Sequence, residues 1–352
     1  MRKLVTVRRV SAVHPIPGAD AIECATVDGW SVVASKGQFA AGDACVYFEI
    51  DCVLPVRPEF EFLRSRCYVK RDWVEGMRLR TSKFRGQISQ GLVMEPAKLG
   101  IDPNTPSDVD LAEVLGVVKW DPPVPAELGG AVRGHMPSFI RKTDQERCQN
   151  LGDAIFGENA DASWEVSIKL DGTSMTVYQN GSDMGVAGRN YDFALDVPNP
   201  NAFIQVTKAM QLHYAIAILN RNVAIQGELM GPNIQGNREA LKRATFFVFD
   251  IFDIDKQCYF SPKERCEFVR SIRSVQSKLG VPEDDWLRHV PVIHECVTLD
   301  FLGLKSVTDL LAYAEGPSMN EAVTREGLVF KRCDGGFSFK AISNKFLLSQ
   351  KD

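Results

Sequence analysis

The sequence predicts an α+β protein of two domains, a small β-barrel at the amino end and a larger domain of antiparallel sheets with flanking helices. Three observations carry that prediction. The chain has 352 residues, more than a single domain of about 100–200 residues accounts for. Up to about Leu115 it offers only short, valine-rich runs between turn residues, the rhythm of a small barrel rather than of a parallel sheet. Beyond about His135, strand-like runs alternate with amphipathic stretches that carry helix caps.

The barrel elements come first. VTVRRVSAV, ECATVDG, WSVVASKG and ACVYFEIDCVL read as strands, separated by Pro15-Ile16-Pro17-Gly18, Asp28-Gly29, Lys36-Gly37 and Ala41-Gly42-Asp43. Within this domain the segment from Arg64 to Arg85 holds Arg64, Arg66, Lys70, Arg71, Arg78, Arg80, Lys83 and Arg85 against only Asp72 and Glu75. Tyr68, Trp73 and Phe84 are interleaved. Cations for phosphates beside aromatic faces for bases are what a groove tracking a nucleic-acid backbone needs. The plainer alternative is a solvated loop face. The domains drawn from these patterns are 1–120, a linker over 121–134 in the Pro- and Gly-rich WDPPVPAELGGAVRG region, and 135–352.

The second domain opens with MPSFIRKTDQERCQN, where Thr143 as N-cap and Glu146 three residues on predict a capped helix presenting Arg147. Next comes WEVSIKLDGTSMTVY, read as strand, tight turn and strand, with Lys169 on the turn, and Asn180-Gly181 turns the chain into a further strand toward Arg189. Asn199-Pro200 predicts a helix start, with Phe203, Val206, Met210, Tyr214 and Ala217 facing the core. NVAIQGELMG and ATFFVFDIFD read as buried strands. Ser261-Pro262 with Glu264 caps a helix whose apolar face is Phe268, Ile272, Val275 and Leu279, closed by Gly280, and Ser306 to Ala314 is a shorter helix. EGLVFKR and FSFKAI are the last strands, with Asp334-Gly335-Gly336 between them.

Composition excludes several function classes. Net charge is −4, with 45% hydrophobic and 24% charged residues, so the chain is no polycation and any nucleic-acid surface is a local patch. No run reaches the about 18 apolar residues a membrane span needs, and MRKLVTVRRV is too short and too interrupted by arginine for a secretion signal. The expectation is a cytoplasmic or nuclear protein with no membrane partner. Nine cysteines without Cys-x-x-Cys spacing point to reduced, mostly buried thiols, and the five histidines form no motif.

Lys169-x-Asp171-Gly172, Arg189, Gly227-Glu228-Leu229, Phe249-Asp250, Glu326-Gly327-Leu328-Val329 and Phe339-Lys340 form an ordered series. That series resembles the nucleotidyltransferase motifs of polynucleotide ligases and mRNA capping enzymes. HPIPGADAIECATVDGW, GDACVYFEIDCVLP and KFRGQISQGLVM resemble the OB-fold of tRNA-binding domains. With FIRKTDQERCQN, KLDGTS and FKAISNKFLL, the whole chain is similar to ATP-dependent RNA ligases of the Deinococcus and Naegleria type. The resemblance implies an N-terminal OB-fold β-barrel for RNA and a nucleotidyltransferase domain of ATP-grasp-like antiparallel sheets with flanking helices.

It also implies roles. Lys169 is the nucleophile that takes AMP from ATP, and a neutral amine is required although its ordinary pKa is about 10.4. Flanking cations and a bound metal are expected to depress that value. Lys340, and secondarily Lys345 on the last strand, meet the transferred phosphate; Arg147 meets the outer phosphates or the RNA 5′ phosphate. Gly172 and Arg189 complete the nucleotide pocket, Glu228 accepts from the ribose and Phe249 stacks on adenine. Asp171 and Glu326 orient Mg²⁺ or Mn²⁺ through its waters. Lys70, Arg71, Arg78, Arg80, Lys83 and Arg85 form the RNA surface. Ile168 stands where many relatives have an acid, which departs from the family at the adenine edge.

The implied reaction joins RNA 3′-hydroxyl and 5′-phosphate ends, at a nicked duplex or at broken ends, by a monomer acting in RNA repair. Only twelve residues follow Lys340 (352 − 340), so no OB domain is expected after the last motif, unlike capping enzymes and most DNA ligases. A DNA ligase or mRNA guanylyltransferase with the same core, or a catalytically idle RNA-binding protein, are the alternatives.

Overall fold

In the computed structural model, residues 3–120, 131–198 and 200–349 are described. The chain divides into two units, Met1–Pro123 with Leu347–Asp352, and Val124–Phe346. The expected linker falls for the most part on 121–130, outside the described residues. Its last part instead contributes a strand, Val132–His135, that pairs with Tyr191–Phe193. Val132 packs against the core there, and that contact outweighs the Gly-rich composition.

The first unit is built on the strand Val5–Pro15. Its first half pairs with Ala44–Phe48; after a register shift between Val10 and Ala12, its second half pairs with Ile22–Val27. One strand thereby serves two partners and the sheet curls. The sheet runs Leu92–Met94, Ala44–Phe48, Val5–Pro15, Ile22–Val27, Trp30–Ser35, and a second sheet runs Val118–Lys119, Cys52–Leu54, Val74–Arg78, Tyr68–Arg71. The expected strand ACVYFEIDCVL is two strands, broken where Asp51 takes φ 65°. Two apolar clusters fill the nearly closed barrel, one around Val5, Phe48, Leu54 and Met77, the other around Val27, Trp30, Val32 and Tyr47.

The second unit holds two larger sheets. One is eight-stranded, ordered Val132–His135, Tyr191–Phe193, Asp183–Ala187, Thr173–Asn180, Val223–Met230, Thr245–Asp253, Cys258–Tyr259, with Arg288–His289 also paired to Thr245–Asp253. The other runs Glu146–Arg147, Ser338–Ile342, Gly327–Arg332, Ser163–Lys169, Val292–Thr298. Ser163–Lys169 and Thr173–Asn180, although adjacent in sequence, are not a hairpin: each belongs to a different sheet, and Lys169-Leu170-Asp171-Gly172 is the crossing between them.

Helices Ala202–Ala209, Leu212–Leu219 and Pro262–Lys278 share a core with the first sheet, including Phe203, Ile216, Ile225, Val248 and Ile272. The capping box at Ser261 and Glu264 forms as expected, and Gly280 follows the helix at φ 73°. Three expectations are corrected. The cap of the helix near 200 is Asn201, whose side chain accepts from the Ile204 N–H; Asn199 lies outside the described residues. The long helix there is two, because Gln211 takes φ 47°, which rotates the buried face onto Leu212, Ala215 and Ile216 and leaves Tyr214 exposed. The hairpin after Asn180 turns on Gly181-Ser182, with Gly181 at φ 60° and Asn180 already paired to Asp183.

No helix among the described residues is long and apolar enough to cross a membrane. All nine cysteines are free; Cys24, Cys45, Cys52 and Cys148 are buried, while Cys258 and Cys296 are exposed.

Candidate active site

Strand alternation places the lysine. Trp164, Val166 and Ile168 enter the apolar core behind their sheet, so Glu165, Ser167 and Lys169 turn to the other face. Lys169 pairs across the sheet with Gly327, and the residue before that glycine is Glu326. The Lys169 Nζ lies 2.7 Å from Glu326 Oε2, with side chains 26% and 17% exposed. At the crossing, the Gly172 N–H donates to Glu228 Oε1 at 3.0 Å. A Cβ on Gly172 would stand 2.5 Å from the Leu229 carbonyl oxygen, so only glycine lets the crossing approach that strand. Asp171 Oδ2 lies 3.8 Å from Arg238 Nε.

The electrostatics of this group differ from the sequence expectation. Burial pushes the Lys169 amine down, but Glu326, Glu228 and Asp171 together hold it above its ordinary value. Acids, rather than cations, are the nearest charges to this amine, and the free chain keeps an ammonium there. The acids respond in turn. Burial, with Glu326 next, pushes Asp171 up to about 6 against the pull of Lys169. Burial pushes Glu228 up to about 7, again against Lys169.

Lys340 is the second motif amine, its side chain 15% exposed. It sits on Ser338–Ile342, opposite Val329, and its Nζ is 3.0 Å from Asp144 Oδ1. Burial pushes it down to about 8 despite Asp144, with Lys169 and Arg147 as further cationic neighbours. Asp144 also reaches Arg189 Nη2 at 3.4 Å, so one carboxylate joins the two cations. Arg147 is buried, on a two-residue strand in parallel register with Phe339 and Lys340. The helix expected at Thr143 does not form: Glu146 turns its carboxylate to the Arg147 N–H and the Asn150 amide, and pairing with the last strand takes the backbone instead.

Lys345 is not on the last strand. It lies in the helix Asn344–Ser349, 76% exposed, with Nζ 3.5 Å from Glu315. Phe249 lies on Thr245–Asp253, and its carbonyl accepts from the Lys331 ammonium.

Sequence reading missed three participants. Asp144, the bridge between Lys340 and Arg189, was passed over as part of a helix start. Arg238 lies in a loop with left-handed residues at Asn233, Gln235 and Asn237, and its guanidinium stacks 4.8 Å over the Phe346 ring. Nothing periodic marks it. Lys331 is buried, 2.5 Å from Asp250 Oδ1, and ties the two sheets of this unit. It was hidden in an apolar run whose alternation was its only signal. Asp250, Lys331, Gln145, Tyr259 and Asp144 help line a cavity of about 160 Å³ that Lys169 does not border.

Glu326 raises the proton affinity of Asp171 and of Glu228, and Asp171 adds to that of Glu228, so a cation would relieve the repulsion. Among the described residues, no cluster of three His, Cys, Asp or Glu could close around a bare ion. Carboxylate oxygens are the donors that a hard divalent cation takes.

In the first unit the basic segment is partly committed. Arg64 is bonded to Glu61 at 2.6 Å, Lys70 to Glu75 at 3.1 Å, and Arg78 to Asp51 at 3.7 Å while stacking 4.2 Å over Trp120. Arg71, Lys83 and Arg85 are exposed.

Comparison with known proteins gives two matching family profiles, one described as an OB-fold domain over residues 4–96 and one described as RNA ligase over residues 162–342. No curated protein sequence matches. Among solved structures, Naegleria gruberi RNA ligase with PPi is similar over 100% of both chains, at 42% identity and TM-score 0.89. A lysine-to-methionine variant of that enzyme with AMP and Mn, and a glutamate-to-alanine variant with ATP and Mn, match with the same identity, coverage and TM-score.

Proposed function

The chain belongs to the RNA ligase family, and from that premise we propose that Lys169 is its adenylylated nucleophile and that the acids around it are its proton and metal partners. It is an ATP-dependent RNA ligase that uses a divalent cation. The observation that carries the site assignment is the Lys169–Glu326 contact at 2.7 Å, at the point where one sheet hands the chain to the other.

In the first step the Lys169 Nζ, once its proton has left, attacks the α-phosphorus of ATP; a P–N bond forms and the bond to pyrophosphate breaks. A divalent ion, when bound, stabilises phosphate charge and disfavours the ammonium. Glu326 and Asp171 would hold its waters, which would draw Glu326 away from the lysine. Lys340, cationic at neutral pH and fixed by Asp144, meets the α-phosphate, with Arg147 and Arg189 on the outer phosphates. Glu228 fixes the crossing through Gly172 and accepts from the ribose, and Phe249 faces adenine with its backbone held by Lys331.

In the second step an oxygen of an RNA 5′ phosphate attacks the same phosphorus, the P–N bond breaks and the amine is regenerated. In the third, the RNA 3′ hydroxyl attacks the 5′ phosphate and AMP leaves. The net reaction is RNA 3′-hydroxyl:5′-phosphate joining that forms AMP, by a monomer serving RNA repair. Residues 1–120 form the RNA-binding domain and 135–352 the adenylylating one, with Arg71, Lys83 and Arg85 the phosphate contacts best placed to serve. Incubation with α-labelled ATP and Mn²⁺ without RNA tests the assignment: wild type takes label and Lys169→Ala takes none.

A further inference from the structure

We propose that Trp73, backed by Trp120 and Arg78, is a stacking site for one unpaired base of the RNA. The inference deepens the proposed function and rests on RNA being the substrate.

Trp73 stands at the tip of the hairpin joining Tyr68–Arg71 to Val74–Arg78, where Arg71 pairs with Val74 and only Asp72 and Trp73 lie between. Trp120 comes from the far end of the unit's sequence, just after Val118–Lys119. Their rings nonetheless meet, with centroids 4.7 Å apart. Arg78 lies 4.2 Å from the Trp120 ring centroid, also 3.7 Å from Asp51, and its buried Nε has no hydrogen-bond partner. That guanidinium is committed to holding an indole in place, so it is a positioning residue, not a phosphate contact.

The stack is not part of the hydrophobic interior. Neither tryptophan belongs to the two apolar clusters that fill the barrel, and both residues are only partly buried. Asp72 and Arg71 beside Trp73 are exposed, and Tyr68 on the same hairpin is 36% exposed. A large ring kept out of the core, fixed by a second ring and a cation, and set among exposed cations has the makings of a base platform. Stacking tolerates any base, so the site fits the sequence-independent demands of sealing. A duplex offers its bases only at ends or flaps, which assigns the site to single-stranded or frayed RNA.

The test measures equilibrium binding of a single-stranded RNA of about twelve nucleotides, within the range of about 4–16 that one OB fold covers. Wild type, Trp73→Ala, Trp73→Phe and the triple variant Arg71→Ala, Lys83→Ala, Arg85→Ala are compared across a salt series, each also assayed for self-adenylylation. Trp73→Ala is expected to bind about 5- to 150-fold more weakly with an unchanged slope of log affinity against log salt, and Trp73→Phe to stay near wild type. The triple variant is expected to flatten the slope. RNAs carrying one abasic ribose at each position in turn supply the coupling: one position weakens wild type and leaves Trp73→Ala unchanged. Equal binding by Trp73→Ala, a changed slope in it, or an abasic loss of the same size in both proteins overturns the proposal. Self-adenylylation reads the ligase assignment separately: its absence in wild type sinks that reading, while the stacking result stands on the binding data alone.

Discussion

The Lys169 Nζ donates to Glu326 Oε2 at 2.7 Å across 157 positions of sequence, and the acids around it keep the amine protonated. The folded chain therefore holds this amine, the nucleophile proposed above, in a protonation state that cannot attack. Because its value in the folded chain is raised, Lys169 in the apo protein should resist an acetylating reagent more strongly than an ordinary lysine as pH rises. Glu326→Gln removes the nearest anion, so burial dominates and the amine should react at lower pH. Competitive acetylation read by peptide mass spectrometry checks this; an unshifted profile in Glu326→Gln would show that Glu326 does not set the proton affinity.

The acids themselves make stability depend on pH. Asp171 is raised to about 6 and Glu228 to about 7, both above their ordinary carboxylate values. A raised folded-state value favours folding at low pH, and that contribution is lost as pH climbs from about 4.5 through about 7. Glu228→Gln should therefore gain melting temperature relative to wild type between pH 5 and pH 8, by about 2–4 °C for each kcal/mol. Adding Mn²⁺ at pH 8 should raise the wild-type value more than that of Asp171→Asn. Parallel melting curves at both pH values for wild type and variant would count against this coupling.

Lys340 and Lys345, paired in the sequence expectation, should separate on mutation. Lys340 is 15% exposed and has Lys169 and Arg147 as cationic neighbours, whereas Lys345 is 76% exposed beside Glu315. Lys340→Ala should slow self-adenylylation by about 10²–10³-fold, the usual cost of a lost preorganised charge. Lys345→Ala should stay within about twofold, the scale of an ordinary surface substitution. The Lys340 contribution should fade above about pH 8, where its ammonium titrates. Single-turnover rates on both variants decide the point.

Lys331 and Asp250 form a buried pair 2.5 Å apart, 8% and 7% exposed. Lys331→Met leaves the Asp250 carboxylate buried beside Gln145 alone, so unfolding free energy should drop by about 3–5 kcal/mol. Lys331→Met combined with Asp250→Leu should recover much of it. Denaturant titration distinguishes this from a pair that contributes only to catalysis.

Where local chemistry decided the structure, the sequence was legible: the Ser261–Glu264 cap, the strands Val223–Met230 and Gly327–Arg332, and the barrel strands Val5–Pro15, Ile22–Val27 and Trp30–Ser35 formed where read, whereas ACVYFEIDCVL broke in two at Asp51. Errors came where pairing partners distant in sequence overrode local signals. Thr143 and Glu146 spell a capping box, but pairing with Phe339 and Lys340 draws that backbone into a sheet. Gln211 breaks a continuous helical pattern with a left-handed turn that composition does not announce. At the site, the motif lysine and acids were visible as an ordered series, but their charge balance was not. Strand alternation could place Lys169 on the face opposite Trp164, whereas finding Glu326 as its nearest partner needed the pairing of Lys169 with Gly327.

The most direct measurement is intact-mass and peptide analysis after incubation with ATP and Mn²⁺, before any RNA is added. A single AMP on the peptide containing Lys169, absent in Lys169→Ala and transferred to RNA on its addition, is the result expected. AMP on another residue, AMP retained by Lys169→Ala, or an unmodified wild-type chain would contradict the account.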